Sequence, residues 1–96
     1  MNIQQIVERA RARTGAKSDR ALAREFGMVH QGLLRITKGH GLPSDAAMVR
    51  ISRAAGIPIE EGLLLLNMWR SDGEEHTAYT RILKLISTRT ANKKAA

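Results

Sequence analysis

The sequence predicts an all-α fold, with five short helices over residues 1–70 and a sixth helix over residues 71–88. Three observations support this prediction. Apolar residues recur at three- and four-residue spacing in successive segments, which is the period of one helix face. Polar residues that can cap a helix precede most of these segments, and glycine follows several of them. We find no internal repeat and no pair of alternating segments that would form strands.

The first helix is predicted from Ile3 to Arg13. Asn2 precedes it and can accept a hydrogen bond from a free amide of the first turn. Thr14 and Gly15 follow it, and glycine is the residue most often found just past a helix end. Its apolar stripe contains Ile3, Ile6, Val7 and Ala10.

The stretch from Ser18 to Gly39 predicts two short helices joined by a tight turn. Ser18 caps the first of these helices. A small residue, Ala23, permits close helix packing, and Gly27 can adopt the left-handed conformation that ends a helix. Leu33 and Ile36 then fill the space between the helices. This spacing is typical of a helix-turn-helix, whose second helix, here residues 29–38, lies in the DNA major groove.

The other face of this second helix carries side chains that can reach base edges. Arginine can donate two hydrogen bonds to guanine, glutamine can pair with adenine, and aliphatic groups contact the thymine methyl. The predicted base-reading residues are, in order of preference, Gln31 and Arg35, then His30, then Leu34. The predicted phosphate contacts are Ser18, Arg20, Arg24, Lys38 and His40, whereas Arg50 and Arg53 are interpreted as ordinary surface residues.

Three further helices are predicted after residue 43. Ser44 caps a fourth helix that ends at Gly56, and a fifth helix opens at residues 57–61 and continues to Arg70. Residues 71–74 read Ser-Asp-Gly-Glu, which matches a capping box for a sixth helix ending near Ser87. Residues 89–96 lack apolar periodicity and are predicted to form a disordered basic tail.

The fifth and sixth helices carry more apolar surface than so small a domain can cover. We therefore predict that the sixth helix serves dimerisation. The expected interface comprises Leu64, Leu65, Trp69, Tyr79, Ile82, Leu83 and Ile86. The alternative is that the sixth helix folds back and covers the fifth within one chain.

Length and composition limit the possible classes of protein. A chain of 96 residues suits one domain that would gain stability from dimerisation. The absence of cysteine excludes disulfides and cysteine-based zinc sites, and it fits a reducing cytoplasm. The N-terminus does not resemble a signal peptide, and the run of four leucines at 63–66 is far shorter than the roughly 20 residues of a membrane span. We therefore expect a cytoplasmic protein without membrane association.

The net charge is +7, and much of it falls near the predicted helix-turn-helix. Residues 1–40 contain eight Lys or Arg residues and three acidic residues. An excess of positive charge beside a reading helix is the electrostatic signature of a polyanionic partner.

The segment GMVHQGLLRITKG resembles the turn and recognition helix of the lambda-repressor/Cro class of XRE-type regulators, and the similar region runs from about Ile3 to Met68. The segments SDRALAREFG and GLPSDAAMVRISRAAGI are also similar to small regulators of filamentous phages. The resemblance implies a phage or prophage immunity repressor that binds a pseudo-palindromic double-stranded DNA operator as a homodimer. It also implies base contacts at His30 and Gln31, and a phage or host protein that antagonises the repressor as a further partner.

Two other functions remain open at this point. An antitoxin, or the controller of a toxin or restriction module, uses the same fold to repress its own promoter. A protein-binding scaffold could retain the fold without binding DNA, since fold alone does not fix function. An enzyme is not expected, because the three histidines have no metal-binding spacing and the chain has no cysteine or glycine-rich phosphate loop. We expect neither a cofactor nor a metal.

Overall fold

The computed structural model describes the backbone of residues 1–95 and the side chains of residues 1–86. Within this part of the chain there are six α-helices and no strands, so the predicted all-α class is confirmed. The helices are α1 (Ile3–Thr14), α2 (Asp19–Glu25), α3 (His30–Thr37), α4 (Asp45–Ala55), α5 (Ile59–Arg70) and α6 (Gly73–Ala95).

Three of the predicted caps are present. Asn2 forms a reciprocal capping box with Gln5 at the start of α1. The hydroxyls of Ser18 and Ser44 each accept a hydrogen bond from the backbone N–H three residues later, at 3.1 and 3.2 Å. These contacts satisfy amides that have no partner within the helix, and they fix where α1, α2 and α4 begin.

Helix α4 lies at the centre of the fold and packs against both α1 and α5, whereas α3 packs against α1 and α2. The buried residues of α4 include Met48 and Ile51, which have no solvent-accessible surface. Apolar residues from all six helices complete one continuous core. Burial of this shared apolar surface is the main stabilising contribution to the fold.

Two ion pairs join elements that are distant in sequence. Arg11 of α1 contacts Asp19 at the start of α2 at 2.6 Å, and this charged hydrogen bond raises the pKa of the Arg11 guanidinium. Arg70 at the end of α5 donates to Asp45 at 2.9 Å and to the carbonyl oxygen of Pro43 at 2.8 Å. The contacts orient the first turn of α2 and the approach to α4.

The sixth helix differs from its prediction at both ends. The Ser71 hydroxyl donates to the carbonyl oxygen of Asn67 at 2.6 Å, so this serine completes the end of α5, and α6 begins at Gly73. The predicted capping box at Ser71 is therefore wrong. The backbone of α6 is helical to Ala95 rather than to Ser87, because no glycine or proline follows Gly73 to end it. Residues 89–95 of the predicted tail thus have a helical backbone, and residue 96 lies outside the described residues.

Helices α4 and α5 approach each other closely where Ser52 faces Gly62. Ser52 is fully buried, and its hydroxyl has no hydrogen-bond partner among the described residues. A Cβ atom built on Gly62 would lie 2.9 Å from the Cβ of Ser52 and closer still to its Oγ. A side chain at position 62 would therefore force the two helices apart.

We expect Gly62→Ala to lower the free energy of unfolding by about 1–3 kcal/mol, because overpacking a close helix contact displaces the backbone. Urea denaturation followed by circular dichroism measures this change. Ser52→Ala removes the colliding oxygen but keeps the Cβ at 2.9 Å, so the double variant should recover only part of the loss. By itself Ser52→Ala should be neutral or stabilising, since it deletes a buried hydroxyl without a partner. Equal stability of Gly62→Ala and the wild type would contradict the close approach.

Candidate nucleic-acid interface

The turn between α2 and α3 depends on one glycine. Gly27 has a φ of 66°, in the left-handed region that most residues avoid. The N–H of Met28 donates to the carbonyl oxygen of Ala23 at 3.0 Å, and Ala23 is buried between the helices. The chain therefore ends α2 and reverses direction within a few residues, as the sequence predicted.

Helix α3 has a buried face and an exposed face. Leu33 and Ile36 lie in the core, with 0% and 2% of their surface accessible. Gln31 and Arg35 are exposed and lie one helical turn apart. Neither side chain has a hydrogen-bond or ion-pair partner among residues 1–86, so both are free to contact a ligand.

The other two predicted base-reading residues, His30 and Leu34, are half-buried. Val29 precedes α3 in extended conformation and provides no side-chain cap. The amides of the first turn of α3 therefore lack the side-chain acceptor that begins α1, α2 and α4. They add positive potential at the end of α3 where Gln31 lies.

All five predicted phosphate-contacting residues are solvent-exposed. Ser18, Arg20 and Arg24 come from the start and the last turn of α2. Lys38 and His40 follow α3, and the backbone N–H of His40 donates to the carbonyl oxygen of Arg35 at 2.8 Å. The Ser18 hydroxyl accepts from Ala21 at the cap, which leaves its own proton available for a phosphate oxygen.

An open groove of 620 Å³ separates α3 from the beginning of α4. Arg35 lines one wall and Arg50 of α4 lines the other, with Met28 and Leu42 among the apolar lining residues. The Arg50 guanidinium lies over Gly27, because a Cβ atom built there would be 3.1 Å from its Cζ. Sequence reasoning treated Arg50 as an ordinary surface residue and missed this position beside the turn.

The predicted dimer residues fall into two groups. Leu65 and Leu83 are buried in the core of their own chain, where α6 packs on α5. At these two positions α6 covers α5 within one chain, and little of either side chain is left for contact with a second copy. Ile82 is 40% exposed, and the other four predicted residues are half-buried: Leu64, Trp69, Tyr79 and Ile86.

Trp69 faces a different part of the molecule from the one expected. It lines a cleft of 280 Å³ together with Asn2, Gly39 and Leu42. It thus lies beside the loop that follows α3 and the beginning of α1.

Clusters of metal ligands and membrane-spanning helices are both missing from the described residues. No group of three or more His, Cys, Asp or Glu side chains in the described part is arranged to hold a metal ion. None of its helices is long and apolar enough to cross a membrane.

Comparison of the chain with protein-family models, with curated proteins and with solved structures finds no match. The interpretation of the α3 surface therefore depends on the residues themselves.

Proposed function

We propose that this protein is a sequence-specific DNA-binding transcriptional repressor in which α2 and α3 act as a helix-turn-helix. The supporting observation is the two-sided character of α3. Its inner face is fixed in the core by Leu33 and Ile36, and its outer face presents Gln31 and Arg35 without partners. A helix held in the core that presents free side chains able to form two hydrogen bonds with one base is what readout of the major groove requires.

In this proposal the two reading residues have different targets. Arg35 donates to O6 and N7 of a guanine, while Gln31 pairs with N6 and N7 of an adenine. Their positions one turn apart let them contact neighbouring base pairs. His30 and Leu34 lie beside them and shape the contact surface, and aliphatic Leu34 suits a thymine methyl.

The phosphate contacts would hold α3 in register. Arg20 and Arg24 on α2 and Lys38 after α3 provide cationic groups on elements next to the reading helix. Such contacts supply sequence-independent affinity and position the reading helix in the groove. Arg11 assists indirectly, since its ion pair with Asp19 orients the turn that carries Arg20.

We further propose that the repressor acts as a homodimer on a pseudo-palindromic operator. Among the described side chains of α6, Ile82 and Leu85 are the large apolar ones that are exposed, at 40% and 66%. They replace Leu65 and Leu83 at the centre of the expected contact. Two reading helices related by a dyad would contact half-sites about 34 Å apart, or a multiple of that distance. A phage or prophage immunity repressor in the cytoplasm is the biological role that the sequence resemblance favours.

Binding selection from a random pool of double-stranded DNA tests this proposal. We expect enrichment of one motif with two inverted half-sites, spaced by about 10 base pairs or a multiple. Light scattering of the free protein should give twice the chain mass of 10.6 kDa. A pool without enrichment would overturn the repressor and favour a protein-binding scaffold. A single half-site bound by a monomer would remove the dimer alone.

A further inference from the structure

A second groove, of 430 Å³, lies on the side of the molecule where α2 faces the later part of α4. Three arginines contribute to it: Arg24 from α2, and Arg50 and Arg53 from α4. We call it the arginine groove. Its remaining lining residues are Thr14, Glu25 and Ala54.

Among the described residues, the three guanidinium groups form no ion pair with a carboxylate. None of them has an ion pair or hydrogen bond among residues 1–86, and Glu25 lies beyond ion-pair distance from all three. Arg11 and Arg70, by contrast, are each paired with a carboxylate. Like charges that share one groove repel each other, so an anion that occupies the groove would be favoured.

The arginine groove is continuous with the surface of α3. Arg50 lines both this groove and the larger one that contains Arg35. A strip of positive charge therefore extends from the exposed face of α3, past the Gly27 turn, to Arg53. DNA bound at α3 would present a line of phosphates to such a strip, since a duplex carries one charge per roughly 1.7 Å of its axis. This continuity favours DNA over an acidic protein as the occupant.

We propose that the arginine groove binds backbone phosphates of the duplex that flanks the half-site, with Arg50 and Arg53 as further phosphate contacts. The bound DNA is then longer than the base pairs that α3 reads. This inference rests on the proposed function, because it places DNA at α3. It adds a surface of α4 that reads no sequence and contributes affinity alone.

The test compares two duplexes. One contains only the selected operator, and the other carries about eight additional base pairs at each end, a length close to one helical turn. The variant is Arg53→Gln, and Arg9→Gln on the exposed face of α1 makes the same change of charge as a matched control. Fluorescence anisotropy over a range of salt concentrations measures both affinities.

We expect Arg53→Gln to weaken binding of the long duplex by about 5- to 10-fold and of the short duplex by less than about 2-fold. In the long duplex alone, the slope of log affinity against log salt should fall by about 0.9, the contribution of one phosphate contact. The double variant, which carries Arg50→Gln as well as Arg53→Gln, should show twice this change in the salt slope of the long duplex. Because Arg50 packs over Gly27, the folding of the double variant is checked by a circular-dichroism melt. If the double variant is unfolded, the test depends on Arg53→Gln alone.

Equal losses on both duplexes, or no loss on either, would overturn the flanking contact. If Arg53→Gln instead weakens binding of poly-L-glutamate and leaves both duplexes unaffected, the groove serves an acidic protein. Failure of the wild type to bind any selected duplex would overturn this inference together with the repressor. Failure of the inference alone is recognised because Arg35→Ala would still weaken binding of both duplexes.

Discussion

Replacing Gln31 and Arg35 together with alanine is expected to abolish discrimination between the selected operator and random DNA. Each bidentate contact contributes about 1–3 kcal/mol of discrimination, so the pair accounts for about 2–6 kcal/mol. The fold should be unaffected, because both side chains are exposed and make no contact that holds α3 in place. Non-specific binding should persist, since the phosphate contacts remain.

Competition gel-shift assays, with the operator and a scrambled duplex of equal length, measure this discrimination. Each single variant should relax the preference at its own base pair, which a second round of selection would reveal. Arg9→Ala on the exposed face of α1 controls for the loss of one positive charge. Retention of wild-type discrimination by the double variant would refute the assignment of α3 as the reading helix.

Leu33→Ala is expected to lower the free energy of unfolding by about 2–5 kcal/mol, the usual cost of a leucine-sized cavity in a core. Leu33 has no accessible surface and packs where α3 joins the rest of the core. Since small domains are stable by only about 5–15 kcal/mol, a large fraction of the molecules could unfold. DNA binding should fall in parallel with the folded fraction.

Urea denaturation of Leu33→Ala and wild type provides this measurement. Val29→Ala is the matched control, because Val29 immediately precedes the same helix and is 73% exposed. Its substitution should change stability by less than about 0.5 kcal/mol, as for most surface positions. A loss of less than about 1 kcal/mol in Leu33→Ala would show that α3 is not anchored by this side chain, against the usual cost of such a cavity.

The parts of the fold that could be predicted from sequence are those that local chemistry determines. The caps at Asn2, Ser18 and Ser44 and the glycine ends at Gly15 and Gly56 involve residues within a few positions of each other. Ser71 shows the limit of such reasoning. A serine between two helices can form a hydrogen bond with the end of the first helix or cap the start of the second. Which of the two contacts forms depends on the path of the chain between the helices.

The outward position of Gln31 and Arg35 was predictable for a related reason. Once Leu33 and Ile36 occupy the inner face of a helix, positions 31 and 35 lie on another face, because neither is three or four residues away from Leu33 or Ile36. The burial of Leu65 and Leu83 was not predictable in this way. Periodicity identifies an apolar face, but it does not determine whether the same chain or a second copy covers it.

Arg50 illustrates a third case. Its contact with the turn depends on how α4 lies across the end of α2, and 23 positions separate it from Gly27. No local pattern contains that information. The other arginines near the turn belong to α2 or α3. The sequence therefore gives no reason to expect that an arginine of α4 also lies beside the turn.

The tight crossing at Ser52 and Gly62 has a mechanical consequence for a two-fold assembly. Helix α6 packs on α5. A wider crossing between α4 and α5 would therefore tilt α6 and, in the proposed dimer, move the second subunit with it. A small change in the angle between α4 and α5 would then become a large displacement of α3 in the second subunit. In the proposed dimer these two positions would therefore set the distance between the two reading helices, and a substitution at one of them should be matched by a substitution at the other.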